Sequence, residues 1–170
     1  MLDWFGKSIW CDEDDNVVVL PRRCMNKLIR LAREYSPREC GSWVAGVYPN
    51  AKTCVISDVA NVPADSTHNH MSFCRGVSGF EIVGDNYVGE WHTHPCGTCI
   101  PSGTDDATMT RLRKRRLRGC TSPIMIILSG SMRGIDDVGI YVYCRDGRRV
   151  QLTHKRRKKW QRWLLSSWIV

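Results

Sequence analysis

Residues 87–106 read YVGEWHTHPCGTCIPSGTDD and hold His92, His94, Cys96, Cys99, Ser102, Asp105 and Asp106. Imidazoles, thiolates and carboxylates are the side chains that ligate transition metals. If residues 87–93 form a strand, its two-residue period places His92 and His94 on one face. A catalytic zinc takes three protein ligands and keeps a fourth position open. The two histidines supply two of the three. On spacing alone the third is open. Asp105, eleven residues past His94, can reach if the intervening loop curls back and brings the start of the next helix to the strand end. Alternatively, Cys96 and Cys99 would complete a closed Cys₂His₂ set of structural type. A further reading takes residues 95–99, PCGTC, as the P-C-x-x-C half of a zinc deaminase signature. The H-x-E half is missing, because neither Glu81 nor Glu90 follows a histidine by two. Ser102-x-x-Asp105 is also a helix-capping pattern, and capping and ligation are compatible.

The elements that must position these residues follow from pattern and punctuation. Residues 16–20, NVVVL, read as a strand behind a solvated acidic approach at 12–15. Pro21 suits the first turn of a helix to about Tyr35, with Cys24, Met25, Leu28, Ile29, Ala32 and Tyr35 on its apolar face. Residues 38–48 and 53–62 read as a hairpin across the turn 48–51. Residues 63–78 are polar and irregular. The spacing predicts a helix over 104–118, closed by Gly119, with acids at its start and bases at its end. Residues 123–128 read as a strand buried on both faces. Residues 139–144 and 148–152 form a hairpin across Asp146-Gly147. The succession predicts one α/β domain with a mixed β-sheet over residues 1–154. Residues 155–170 are read as a basic, Trp-rich helix, with Trp160, Trp163, Leu164 and Trp168 on one face, packed on the domain or on a partner.

At 170 residues the chain suits one sizeable core. Lys and Arg number 25 against 17 Asp and Glu, so acidic partners are to be considered. Nine cysteines, odd in number and outside any small loop-rich framework, fit free thiols in a reducing compartment. No signal-peptide pattern and no apolar run long enough to span a bilayer are present in the sequence, so a cytoplasmic location is expected.

The series His92-Thr93-His94-Pro95, then Ser102, then Asp105, resembles the JAMM (MPN-plus, JAB) metalloprotease motif, H-x-H-P followed by S-x-x-D. Residues 37–41, PRECG, with Gly46 beyond them, are similar to the family's upstream P-x-E context. The run GEWHTHP and the loop with Phe73 and Arg75 look closest to prokaryotic stand-alone JAB proteins, which accompany activating and conjugating enzymes in CBASS-type and ubiquitin-like operons of antiviral defence. The resemblance implies a JAB/MPN-type fold of cytidine-deaminase-like architecture, with helices flanking the sheet, and one Zn²⁺ per chain held by His92, His94 and Asp105. It implies Glu39 as general base and then acid, and Ser102 as hydrogen-bond donor to the developing oxyanion. The substrate implied is a ubiquitin-like protein, or an enzyme conjugated through its C-terminus. Cys96 and Cys99, the basic helix and the Trp-rich tail depart from the pattern.

Each residue also has a plainer reading. Glu39 could be a surface carboxylate, with Glu90, on the histidines' strand face, as its rival or as a support for a ligand. Cys96 and Cys99 could hold a second metal, form a redox pair, or simply fill a tight loop. His68 and His70 read as surface residues. The basic run 111–118 lacks interleaved aromatics, so nucleic-acid recognition is not favoured. Two functions of different class remain, a zinc isopeptidase and a non-catalytic scaffold of the same fold. A complete set of ligands, base and oxyanion donor favours the isopeptidase.

Overall fold

The computed structural model describes residues 6–70, 72–78, 80, 86–115, 120, 122–131 and 134–155. In order, the elements are β1 (Lys7–Cys11), β2 (Val17–Pro21), α1 (Arg22–Tyr35), β3 (Gly41–Asn50), β4 (Thr53–Val59), β5 (Thr67–His68), β6 (Phe73–Cys74), β7 (Tyr87–His94), α2 (Gly103–Lys114), β8 (Ile124–Ser131), β9 (Gly134–Tyr143) and β10 (Arg149–His154).

Eight strands form one mixed sheet in the order β1-β10-β9-β8-β7-β3-β4-β2, and the pairing of β1 with β2 closes it into a barrel. The β2–β4 and β7–β8 pairs are parallel and the others antiparallel. Among the described residues, a mixed sheet with helices α1 and α2 is as the sequence predicts, and the closure is not. β1 is the strand of this barrel that the pattern missed, and the short pair β5 and β6 lies in the stretch read as irregular. The acidic stretch before β2 is solvated at residues 13–15, as expected, and is folded into a turn. Asp12 folds it by accepting from the backbone of Asp14 (3.0 Å) and Asn16 (2.8 Å) and from the Asn16 amide (2.6 Å), while Asp15 takes a left-handed φ of 63°. Pro21 ends β2 and caps α1 instead of lying inside its first turn.

The alternation along β8 divides the interior. Ile124, Ile126 and Leu128 join a core with Leu28 and Ala32 of α1, Val18, Leu20, Val44 and Trp91. Met125 and Ile127 point the other way, toward Met109 of α2, Tyr141 and Tyr143. β8 is therefore buried on both faces, as its continuous apolar run requires. Each helix covers one of those faces. A single fully buried side chain, Met109, roots α2 in the sheet, so the start of this helix needs polar fastenings.

β7 brings the site's strand between β3 and β8, with His92 opposite Gly41 on one side and Ile127 on the other. A Cβ at Gly41 would stand 2.4 Å from the Trp91 carbonyl oxygen and 2.7 Å from the His92 Cβ, so glycine allows this close approach. Gly119 and the tail from residue 156 lie outside the described residues, and with them the expected helix closure and the Trp-rich helix.

Candidate metal centre and its surroundings

β7 ends at His94, and the chain turns at once, with the Gly97 amide donating to the His94 carbonyl at 3.3 Å. The turn carries the Thr98 carbonyl back to His94 Nδ1, 2.8 Å away. That ring nitrogen therefore bears the proton and leaves Nε2 as a bare lone pair. The loop is tied down by Cys99, which is buried. Its thiol donates to Asp137 at 3.1 Å, and its carbonyl accepts from the Tyr141 hydroxyl at 3.0 Å. α2 then begins with a full capping box, in which Ser102 Oγ accepts from the Asp105 amide (3.2 Å) and Asp105 Oδ2 accepts from the Ser102 amide (2.7 Å). Ser102 is exposed and uses its oxygen as acceptor in the box, so its hydroxyl proton stays available to donate.

These features bring three donor atoms together. His92 Nε2 lies 3.0 Å from His94 Nε2, and Asp105 Oδ2 lies 3.4 Å and 3.6 Å from the two nitrogens. Zinc bonds of about 2.0–2.1 Å in tetrahedral array put ligand atoms about 3.3 Å apart. The observed edges bracket that figure. Among the described residues this is the group of three able to hold a metal ion, and it contains no cysteine. Cys96 is exposed, Cys99 is occupied by Asp137, and all nine cysteines are free. Burial alone would raise the Asp105 carboxyl, yet the two histidines and Ser102 outweigh it and hold Asp105 well below the usual carboxylate range. Asp105 raises His94 in return, against burial.

Glu39 stands in the link between α1 and β3, half-buried beside this cluster. Burial raises its carboxyl, while the fields of His94 and His92 lower it and that of Asp105 raises it. The neighbouring Cys40 ties the link to β7, its amide donating to Thr93 Oγ1 (3.0 Å) and its carbonyl accepting from the Thr93 amide (2.8 Å). Glu90 is placed elsewhere. It is 8 % exposed and forms an ion pair with Arg75, which stacks 4.9 Å over Trp43. Glu90 is thereby engaged in fastening the 63–78 excursion to β7.

Two groups near the site were missed from the sequence. Asp106 accepts from the Tyr143 hydroxyl at 2.6 Å and from Arg149 at 2.7 Å, which pins the first turn of α2 to the sheet. His68, expected at the surface, is half-buried, and its Nδ1 meets the Glu39 carbonyl at 2.8 Å. His70 is exposed, as expected. The signal for His68 lay in Asn69 and Ser72, whose side-chain-to-backbone bond of 2.7 Å turns a two-residue hairpin, β5–β6, around it.

A strand-to-helix junction with two imidazoles, one carboxylate and an adjacent half-buried carboxyl is the arrangement of a metal-dependent hydrolase. The chain belongs to the prokaryotic homologues of the JAB domain, whose family model matches residues 21–141. It is similar to the CD-NTase/cGAS isopeptidase of Enterobacter hormaechei subsp. hoffmannii, 32% identical over 125 residues, covering 69% of each chain. It is also similar to the probable metalloprotease y4qB of Sinorhizobium fredii, 22% identical over 125 residues, covering 67% of this chain and 76% of that one. The solution structure of DSY2949 from Desulfitobacterium hafniense aligns with a TM-score of 0.48 at 16% identity, covering 79% of this chain and 87% of that one. That likeness is too distant to carry weight.

Proposed function

We propose that this chain is a zinc-dependent isopeptidase that hydrolyses the bond joining the C-terminus of a ubiquitin-like or other conjugated protein to an amine. The observation that carries the proposal is the match between the spacing of His92 Nε2, His94 Nε2 and Asp105 Oδ2 and the edges of a zinc tetrahedron, with the Glu39 carboxyl beside them. Zinc at this site supplies Lewis acidity, which polarises a carbonyl and lowers the pKa of water. Glu39 takes a proton from the attacking water as its oxygen bonds to the scissile carbon, and delivers it to the amine nitrogen as the C–N bond breaks. The free hydroxyl proton of Ser102 donates to the carbonyl oxygen as charge develops there. The products are a carboxylate and a free amine.

The name of the Enterobacter relative supports the isopeptide reading and makes a CD-NTase one candidate for the conjugated protein. A place in bacterial antiviral defence, beside activating and conjugating enzymes in the cytoplasm, belongs to the same proposal. Among the described residues no helix is long and apolar enough to cross a membrane.

Elemental analysis combined with hydrolysis tests the reading. The probes are a lysine-linked ubiquitin dimer and a CD-NTase joined through its C-terminal carboxylate to a lysine peptide. We expect one zinc per chain, kept in Cys96→Ser/Cys99→Ser and lost in Asp105→Ala. Cleavage in ¹⁸O-water should label the released carboxylate, and Glu39→Ala should lose turnover while keeping zinc. Zinc that depends on the cysteines rather than on Asp105 would refute the proposed ligand set. A zinc-loaded wild type that cleaves neither probe would favour a non-catalytic scaffold.

A further inference from the structure

The residue read as the general base does not lie in regular secondary structure. α1 ends at Tyr35 and β3 begins at Gly41, so Glu39 rides on a connecting segment. The bonds to β7 are made by Cys40, one residue on. Both backbone polar groups of Glu39 are satisfied instead by the excursion between β4 and β7. Its amide donates to the Asn69 carbonyl at 2.9 Å, and its carbonyl accepts from His68 Nδ1 at 2.8 Å. The His68 ring is itself located from two sides. Phe73 of β6 stacks on it with an interplanar angle of 13° at 5.8 Å, and Tyr35 of α1 packs at 5.0 Å.

The excursion that carries His68 is fastened at both ends. The Asp65 carboxylate accepts from the amides of Val77 (2.8 Å) and Ser78 (3.1 Å) and from the Ser78 hydroxyl. Arg75 pairs with Glu90 on β7, the strand that bears His92 and His94. The frame that holds the histidines therefore also holds His68. His68 is not in the metal-capable group, and its Nδ1 is committed to a carbonyl.

We propose that His68 is a positioning residue for catalysis, setting the backbone of Glu39 through the bond from its Nδ1–H to the Glu39 carbonyl. This rests on the reading of Glu39 as the base. A carboxylate that must meet a water and then an amine depends on placement, since a misplacement of about 1 Å can cost roughly a hundredfold in rate. The β5–β6 hairpin thus acts on the chemistry through Glu39 without touching the reacting atoms.

Two substitutions separate the ring from the bond. His68→Phe keeps the stacking on Tyr35 and Phe73 and removes the donor. His68→Asn gives up the ring but presents an amide N–H near the position of Nδ1. With the two conjugates named above as probes, His68→Phe should lower kcat at least about tenfold, with KM within about twofold and zinc content unchanged. His68→Asn should recover most of that loss. Independently of any probe, amide exchange at Glu39 and Cys40 should quicken in His68→Phe and return toward wild type in His68→Asn. Wild-type kcat and wild-type exchange in His68→Phe would overturn the inference. So would a loss that falls on KM, or an asparagine variant no better than the phenylalanine one. Failure of the underlying reading looks different, because Glu39→Ala would then turn over normally whatever residue 68 is. A wild type that cleaves no probe overturns both.

Discussion

Replacing Asp106 by alanine should destabilise the protein and weaken zinc binding together, although Asp106 is outside the proposed ligand set. The magnitude follows from what its two oxygens hold. Oδ1 accepts from the hydroxyl of Tyr143, a side chain 3 % exposed, at 2.6 Å. A bond from a buried donor to a charged acceptor is worth about 1.5–3 kcal/mol, and its loss leaves that hydroxyl with only the Met125 sulfur at 3.9 Å. Oδ2 pairs with Arg149, but the two side chains are 41% and 36% exposed, so this pair adds about 0–1 kcal/mol. A loss of about 2–3 kcal/mol is expected, roughly a 30- to 150-fold shift toward the unfolded state. Because Asp105 rides on the same helical turn, the zinc Kd should rise too. Urea unfolding with an unchanged m-value reads the first effect, and chelator competition reads the second. Tyr143→Phe should reproduce most of the stability loss, and Arg149→Met little of it. An Asp106→Ala protein within about 0.5 kcal/mol of wild type, or one with wild-type zinc affinity, would refute the idea that this clamp seats the helix start.

Other perturbations follow from the same geometry. In the metal-free protein burial raises the Glu39 carboxyl above its ordinary 4.5, so an NMR titration of the apo protein should show its ionised form lost at a higher pH than that of a free carboxylate. By linkage, an acid with a raised folded pKa favours the fold only while protonated, so Glu39→Gln should raise the Tm of the apo protein at neutral pH and leave it unchanged well below 4.5. Arg75→Met strands the buried Glu90 carboxylate and should cost about 3–5 kcal/mol in urea unfolding; the double variant with Glu90→Gln should regain part of that. Gly41→Ala sets a methyl against Trp91 and His92, so it should push β3 from β7 and reduce zinc content in the purified protein.

Much of the framework was legible because it is local. α1 follows from its apolar spacing, β8 from an uninterrupted apolar run, and the β9–β10 hairpin from Asp146-Gly147, where Gly147 takes a φ of 103°. His92 and His94 share a face by the period of a strand alone. The features that escaped depend on distant partners. Lys7–Cys11 shows no clear alternation, and its strand is held from both sides, along its length by β2 and at Trp10 and Cys11 by β10 from the far end of the chain. The curl that brings Asp105 to the histidines is held by Cys99 against Asp137 on β9, and no rule of spacing yields that bond. His68 lies in a strand of two residues, too short for any periodic signal.

The capping box of α2 has a further consequence. The oxygen of Asp105 nearest the two histidines is the same Oδ2 that accepts the Ser102 amide. Helix formation therefore orients the carboxylate before any metal arrives, and the loss of rotamer freedom falls on folding rather than on binding. Small zinc domains that fold only around their metal behave in the opposite way. Here metal uptake should proceed on a rigid template, as a fast and spectroscopically quiet event. Zinc removed by a chelator should leave the circular dichroism of the helices where it was.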